Sequence, residues 1–180
     1  MKRLGFGMMR LPMPDPKVQS VVNMEQVCKM VDTFLERGFT YFDTAYMYHD
    51  KQSECIIRDC LVNRHPRESF TLTDKLPLVL LKDGTEEDQA RIFHEQFEKC
   101  GVDYFDWYFL HNVNKDTYKT AKRLGSFAFL REQQAAGKFR RLGFSFHDAT
   151  EVLDQILTEH PEVELVQLQL NYLDWEDGGV

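Results

Sequence analysis

Apolar positions along the chain fall into two recurring patterns. Short runs rich in β-branched and aromatic residues alternate with longer stretches in which apolar residues recur every three to four positions. Residues 4–8 form the first run. Residues 23–37 read as a helix whose Val27, Met30, Val31, Phe34 and Leu35 share a face. Asn23, with Gln26 three residues on, resembles a capping box, and Gly38 stands where a helix C′ residue belongs. A strand over 39–42 precedes a helix capped by Ser53, with Ile56, Ile57, Cys60 and Leu61 on one face. Residues 69–73 give a third strand. The helix over 85–100 turns Ile92, Phe93, Phe97 and Cys100 inward. An aromatic strand covers 104–110, and a helix bearing Phe127 and Leu130 ends at Gly137. Residues 141–146 form a fifth strand. Asp148 is expected to cap the next helix, with Glu151 in the boxed position, Val152, Leu153, Ile156 and Leu157 inward, and Pro161 as the stop. Residues 163–170 give a sixth strand.

This is a β-α unit repeated at roughly 30-residue spacing, the signature of parallel strands joined by helical crossovers. Nearly continuous apolar strands agree, because a parallel sheet is covered on both faces. Two architectures compete, an open doubly wound sheet and a closed barrel. The first run reads Leu4-Gly5-Phe6-Gly7-Met8-Met9-Arg10, so no Gly-x-Gly-x-x-Gly dinucleotide fingerprint follows it. The predicted fold is therefore α/β of the (β/α)8 TIM-barrel type. Such a barrel places its reactive residues at the C-terminal ends of strands.

The polar residues follow that rule. Asp43 ends the second strand and Tyr48 lies in the loop after it; Lys75 ends the third, His111 the fourth, Ser145 and His147 the fifth, and Gln167 lies within the sixth. The set is chemically coherent. A phenol with a pKa near 10 is a poor acid at neutral pH, and a neighbouring ammonium improves it. Lys75 can supply that ammonium, Asp43 can hold Lys75 charged and in place, and His111 can donate to a carbonyl oxygen. Together they protonate an oxygen while its carbon is reduced.

Composition narrows the partners. The 180 residues fit one domain, and 43% hydrophobic content is ample for a core. A net charge of −7 repels phosphate backbones, so no nucleic-acid partner is expected. No apolar stretch approaches a membrane span and the N-terminus lacks the apolar run of a signal peptide, so no membrane and a cytoplasmic location are expected. The four cysteines, Cys28, Cys55, Cys60 and Cys100, form no CxxC pair and read as small hydrophobes in a reducing compartment.

The string Asp43-Thr44-Ala45-Tyr46-Met47-Tyr48 resembles the D-T-A-x-x-Y signature of aldo/keto reductases. Lys75 in Thr73-Asp74-Lys75 and His111 in Phe109-Leu110-His111-Asn112 fall where that family places its remaining catalytic pair. The resemblance implies Tyr48, not Tyr46, as the acid. Arg141-Leu142-Gly143-Phe144-Ser145-Phe146-His147 is similar to the family's R-x-x-G-x-S stretch. With the strand-six glutamine it implies that Ser145 and Gln167 hold a nicotinamide carboxamide. His147 is carried as a weaker match, because many members have Asn where this chain has Phe146. Asp43 is counted with both the catalytic and the cofactor residues. The implied activity is NADP(H)-dependent reduction of small-molecule carbonyls. Gly5-Phe6-Gly7-Met8-Met9-Arg10-Leu11-Pro12 and Asn171-Tyr172-Leu173-Asp174-Trp175-Glu176-Asp177 further resemble a bacterial branch that often bears a C-terminal iron–sulfur domain.

The family barrel has eight units, and residues 1–180 are expected to form a single partial barrel of about six, truncated before the last strands and any iron–sulfur domain. Those strands hold the family's 2′-phosphate clamp, which makes a catalytically inactive or cofactor-sensitive binding module the alternative. A metal-dependent hydrolase using His111, His147 and His49 is disfavoured, since Phe6-Gly7-Met8 stands where a His-x-His is needed. An open sheet would expose backbone groups at its edges, so association into a homo-oligomer is expected. Light scattering on the purified chain checks this: a mass above one chain is expected, and a stable monomer would contradict it.

Overall fold

The computed structural model describes residues 3–170. Six strands alternate with six helices. They are β1 (Gly5–Gly7), α1 (Met24–Glu36), β2 (Tyr41–Asp43), α2 (Ser53–Ile57), β3 (Thr71–Leu76), α3 (Glu86–Cys100), β4 (Phe105–Val113), α4 (Lys115–Arg123), α5 (Ser126–Ala135), β5 (Phe139–Phe146), α6 (Thr150–Glu159) and β6 (Leu165–Leu168). The strands form one sheet in sequential order from β1 to β6. The pairs β1–β2, β2–β3 and β5–β6 are parallel. A doubly wound sheet reverses its order beside the first strand; this one does not, so the architecture is that of an incomplete (β/α)8 barrel.

The chain divides into two compact units. The first holds residues up to Asp74 together with Phe93–Asp106. Its core is aromatic: Phe42 meets Phe34 with ring centroids 5.2 Å apart and Phe6 at 5.5 Å. Val27 and Val31 of α1 are buried, as are Ile56 and Ile57 of α2 and Cys60 and Leu61 of the single π-helical turn (Arg58–Val62) that extends α2. Asn23 caps α1 by accepting the Gln26 N–H, and Gly38 takes the left-handed conformation just beyond its end.

Charges lie inside this apolar layer. Asp74 and Glu54 are fully buried, and their carboxyls hydrogen-bond each other. Gln96 donates to Glu54 at 3.0 Å, Lys99 pairs with Glu54, and the Cys100 thiol donates to Asp74 at 3.6 Å. Burial pushes the Glu54 pKa up against the opposing pull of Lys99. Another buried acid, Asp106, accepts from Arg67 at 2.8 Å and from the Leu72 N–H at 2.9 Å, tying the start of β4 to β3.

The second unit holds Lys75–Ile92 and the residues from Trp107 on. Tyr108 stacks on Phe139 with centroids 5.4 Å apart, and Phe127, Leu130, Leu142 and Phe144 complete its core. Arg123 at the end of α4 donates to the carbonyls of Leu81, Lys82 and Gly84 and so fixes the turn before α3. At Gly143 two strands come close: a Cβ there would lie 2.5 Å from the Phe109 ring and 2.8 Å from the Leu165 carbonyl oxygen.

Several expectations change. Ser53 is the first helical residue of α2 and not its cap; its hydroxyl pairs with that of Thr44 at 2.8 Å. Asp148 does not cap α6, because its carboxylate accepts the Lys115 N–H at 2.6 Å and the Ala149 N–H at 2.7 Å. Met30 and Leu157 are exposed and, on α6, only Ile156 is buried. The described neighbours cover α6 on one side only, since β6 is the last strand of the described sheet. Helix α4 was not expected; its sequence is polar, but Asn114 and Thr117 form a reciprocal capping box. The family-like segment 171–177 lies outside the described residues.

Gly143→Ala is expected to destabilise the chain by about 1–3 kcal/mol, the usual range for overpacking. Urea unfolding checks it: the midpoint should fall with an unchanged slope, and an unaltered midpoint would show that Phe109 moves aside freely.

Candidate functional site

In the first unit, strand pairing sets the position of Asp43. It ends β2, lies level with Thr73 of β3 and is nearly buried, and its carbonyl accepts the Met8 N–H at 2.8 Å. The chain then leaves the sheet. The Thr44 N–H donates to the Thr73 carbonyl at 3.0 Å, and a tight turn follows in which Tyr48 donates to Ala45 and Ser53 donates to Tyr48 through the backbone. His49, Asp50 and Lys51 are all left-handed, with φ of 51°, 51° and 69°. Each such residue costs about 1–2 kcal/mol without glycine's freedom, although His and Asp tolerate it best.

The two tyrosines of the motif separate clearly. Tyr46 is buried; its hydroxyl donates to Glu95 at 3.2 Å and its ring lies 4.4 Å from the Lys99 ammonium. Burial, then the Glu95 carboxylate, pushes its pKa up, the wrong direction for a proton donor. Tyr48 is half-buried and so reaches solvent.

In the second unit Lys75 is the penultimate residue of β3 and is completely buried. Side chains alternate along a strand, so Lys75 points to the face opposite Asp74. His111 lies within β4, two residues before its end, and shares its face with Phe109 and Trp107. Lys75 and His111 thus sit inside their strands and not at the ends. Burial, then the charge of Lys75, then His147, lowers the His111 pKa from 6.5 to about 3. His111 is therefore a neutral imidazole at ordinary pH, able to donate one hydrogen bond and unable to carry charge. The next residue, Asn112, is left-handed at φ 56°; its N–H donates to the Ser145 hydroxyl at 2.8 Å and its carbonyl accepts from Thr117. The His147 N–H donates to the Val113 carbonyl at 3.0 Å.

Ser145 of β5 lies level with Gln167 of β6. Neighbouring positions in a parallel pair face the same side. A hydroxyl that accepts from Asn112 keeps its own proton to donate, and a glutamine amide beside it donates and accepts. That donor set fits a carboxamide, the polar group of a nicotinamide.

One histidine changes role. His49 is buried, and both its ring nitrogens bond backbone groups: Nε2 accepts the Leu11 N–H at 3.3 Å and Nδ1 donates to the Gln19 carbonyl at 2.9 Å. Neither nitrogen is left for a metal. The sequence signal for this role is slight, a histidine directly after the motif tyrosine.

Comparison with known proteins now decides the family. The model of the aldo/keto reductase family matches residues 3–178. The chain belongs to that family. It is similar to a glyoxal reductase from Bacillus subtilis, 29% identical over 140 residues, which covers 76% of this chain and 47% of that protein. Among solved structures it resembles a thermostable aldo-keto reductase crystallised with the inhibitor epalrestat, with TM-score 0.67 and 22% identity over 98% of this chain and 61% of the other. It also resembles an aldo-keto reductase from Klebsiella pneumoniae in complex with NADPH, with TM-score 0.65 and 22% identity over 92% of this chain and 53% of the other. The aldo/keto reductase chain described here thus spans about half the length of the curated relative it matches.

The lowered His111 pKa gives a signed expectation. Unfolded, the imidazole takes a proton near pH 6.5; folded, it resists until about pH 3. The unfolded state therefore binds more protons across that window, and stability falls as pH falls through it. Denaturation between pH 7 and pH 4 should show this loss, and His111→Gln should shrink it; an equal loss in the variant would mean that other groups titrate.

Proposed function

We propose that this chain carries the catalytic side of an NADP(H)-dependent oxidoreductase that reduces aldehyde or ketone carbonyls, with Tyr48 as the proton donor. The observation that carries the reading is the division of labour between the motif tyrosines: Tyr46 is engaged by Glu95 and Lys99, while Tyr48 reaches solvent. In this reading Tyr48 delivers its phenolic proton to the carbonyl oxygen of the substrate. Lys75 is the ammonium that makes the phenol a better donor, and Asp43 keeps that ammonium charged and placed. His111, held neutral, donates a hydrogen bond to the same oxygen and orients it. Ser145 and Gln167 hold the carboxamide of the nicotinamide, with His147 and Asp43 as further cofactor contacts. Bound NADP(H) supplies the hydride that reduces the carbonyl carbon.

The name of the Bacillus subtilis relative makes glyoxal a first substrate to try. All four cysteines are free, which supports a reducing cytoplasm as the working compartment. No helix among the described residues is long and apolar enough to cross a membrane. The outer strands β1 and β6 of the described sheet are taken to pair with a further chain.

The test combines binding and turnover. Titration with NADPH, then NADH, followed by tryptophan fluorescence, should show saturable micromolar binding. Tyr48→Phe should keep that binding and lose carbonyl reduction by about 100-fold or more, the scale of a general acid. Equal turnover in the variant would remove Tyr48 from the mechanism. A folded chain that binds neither cofactor would favour the non-catalytic module.

A further inference from the structure

The turn that carries Tyr48 is held in an unfavourable shape. Residues 49–51 are three consecutive left-handed residues without a glycine. Such strain persists only where the surroundings over-determine the backbone. Four contacts do so here. The Ser53 N–H donates to the Tyr48 carbonyl at 3.2 Å, the Gln52 N–H donates to the His49 carbonyl at 3.0 Å, and Ser53 and Thr44 join their hydroxyls across the base of the turn at 2.8 Å. The fourth is the imidazole of His49, which reaches 38 residues back along the chain to Leu11.

His49 does more than fill space. The Leu11 N–H can only donate and the Gln19 carbonyl can only accept. The two partners therefore fix one tautomer, with the proton on Nδ1. They also stand on opposite arms of the loop between β1 and α1. That loop contains Pro12, Pro14 and Pro16 and is exposed from Pro14 to Val21, while Leu11 and His49 are buried. One imidazole thus fastens both arms of a surface loop to the turn behind Tyr48.

We infer that His49 is a positioning residue that locks the Tyr48 turn and the loop over residues 11–22 into one rigid piece, so that the Tyr48 hydroxyl keeps a single placement. The inference rests on the assignment of Tyr48 as proton donor. His49 itself touches no reacting atom, and its effect passes through the backbone of its neighbour.

The experiment uses the full 180-residue chain and two independent readouts. The first is tryptic cleavage after Lys17, an exposed site within the fastened loop. The second is the titration of Tyr48, isolated as the difference in phenolate absorbance between each protein and the same protein carrying Tyr48→Phe. His49→Phe keeps a ring but deletes both hydrogen bonds; His49→Gln restores an acceptor and a donor. In His49→Phe, cleavage at Lys17 should accelerate about tenfold or more as the loop opens. The Tyr48 titration should move by about one pH unit, a tenfold change in acid strength. His49→Gln should return both towards the parent values. If His49→Phe does not fold, His49→Asn, which reaches only the Gln19 carbonyl, replaces it with the same expectations. Unchanged values on both readouts would overturn the inference, and so would faster cleavage with an unmoved Tyr48 titration, since His49 would then fasten the loop alone. An ordinary phenol titration for Tyr48 in the parent chain would overturn the donor assignment itself, and that failure is visible before any His49 variant is made.

Discussion

The constraint on which the structure depends is the pair of ionisable side chains that β3 carries through an apolar sheet. Asp74 and Lys75 are adjacent and both completely buried, and strand alternation sends them to opposite faces. A buried charge without partners costs far more than any single contact returns. The first unit answers for Asp74 with Glu54 and Cys100, and Gln96 and Lys99 in turn hold Glu54; all are drawn from α2 and α3. Those helices are therefore placed by polar chemistry as well as by their apolar faces. Lys75 feeds the opposite face and, with burial, sets the state of His111.

Much of the architecture was legible because parallel strands are apolar on both faces and crossover helices show an apolar stripe. The strand ends were less legible for the same reason. A lysine and a histidine after an apolar run look like its terminus, yet Lys75 and His111 still lie within β3 and β4. Helix α4 escaped because Lys115–Arg123 offers little apolar stripe beyond Tyr118 and Ala121; only the Asn114 and Thr117 capping pair announces it. Asp148 satisfied a capping pattern but was drawn to the start of α4, a partner 33 residues away that no local pattern contains.

The family was legible in short motifs, and the model of that family matches residues 3–178. Local motifs do not contain environment. That Tyr46 is spent on Glu95 and Lys99, that burial raises the Glu54 pKa, and that His49 bonds backbone groups at both nitrogens are all consequences of long-range contacts. Residue type proposes a chemistry; burial and partners decide which of several like residues can perform it.

The two histidines show how far that decision reaches. Their surroundings use them for opposite ends. Burial first and the nearby Lys75 ammonium second disfavour a proton added to His111, and its capacity is restricted to hydrogen bonding. His49 is committed at both nitrogens to backbone groups, so a proton added at Nε2 would face the Leu11 N–H and break the bond that holds the loop. The groups that the fold brings to each imidazole thus set what that imidazole can do.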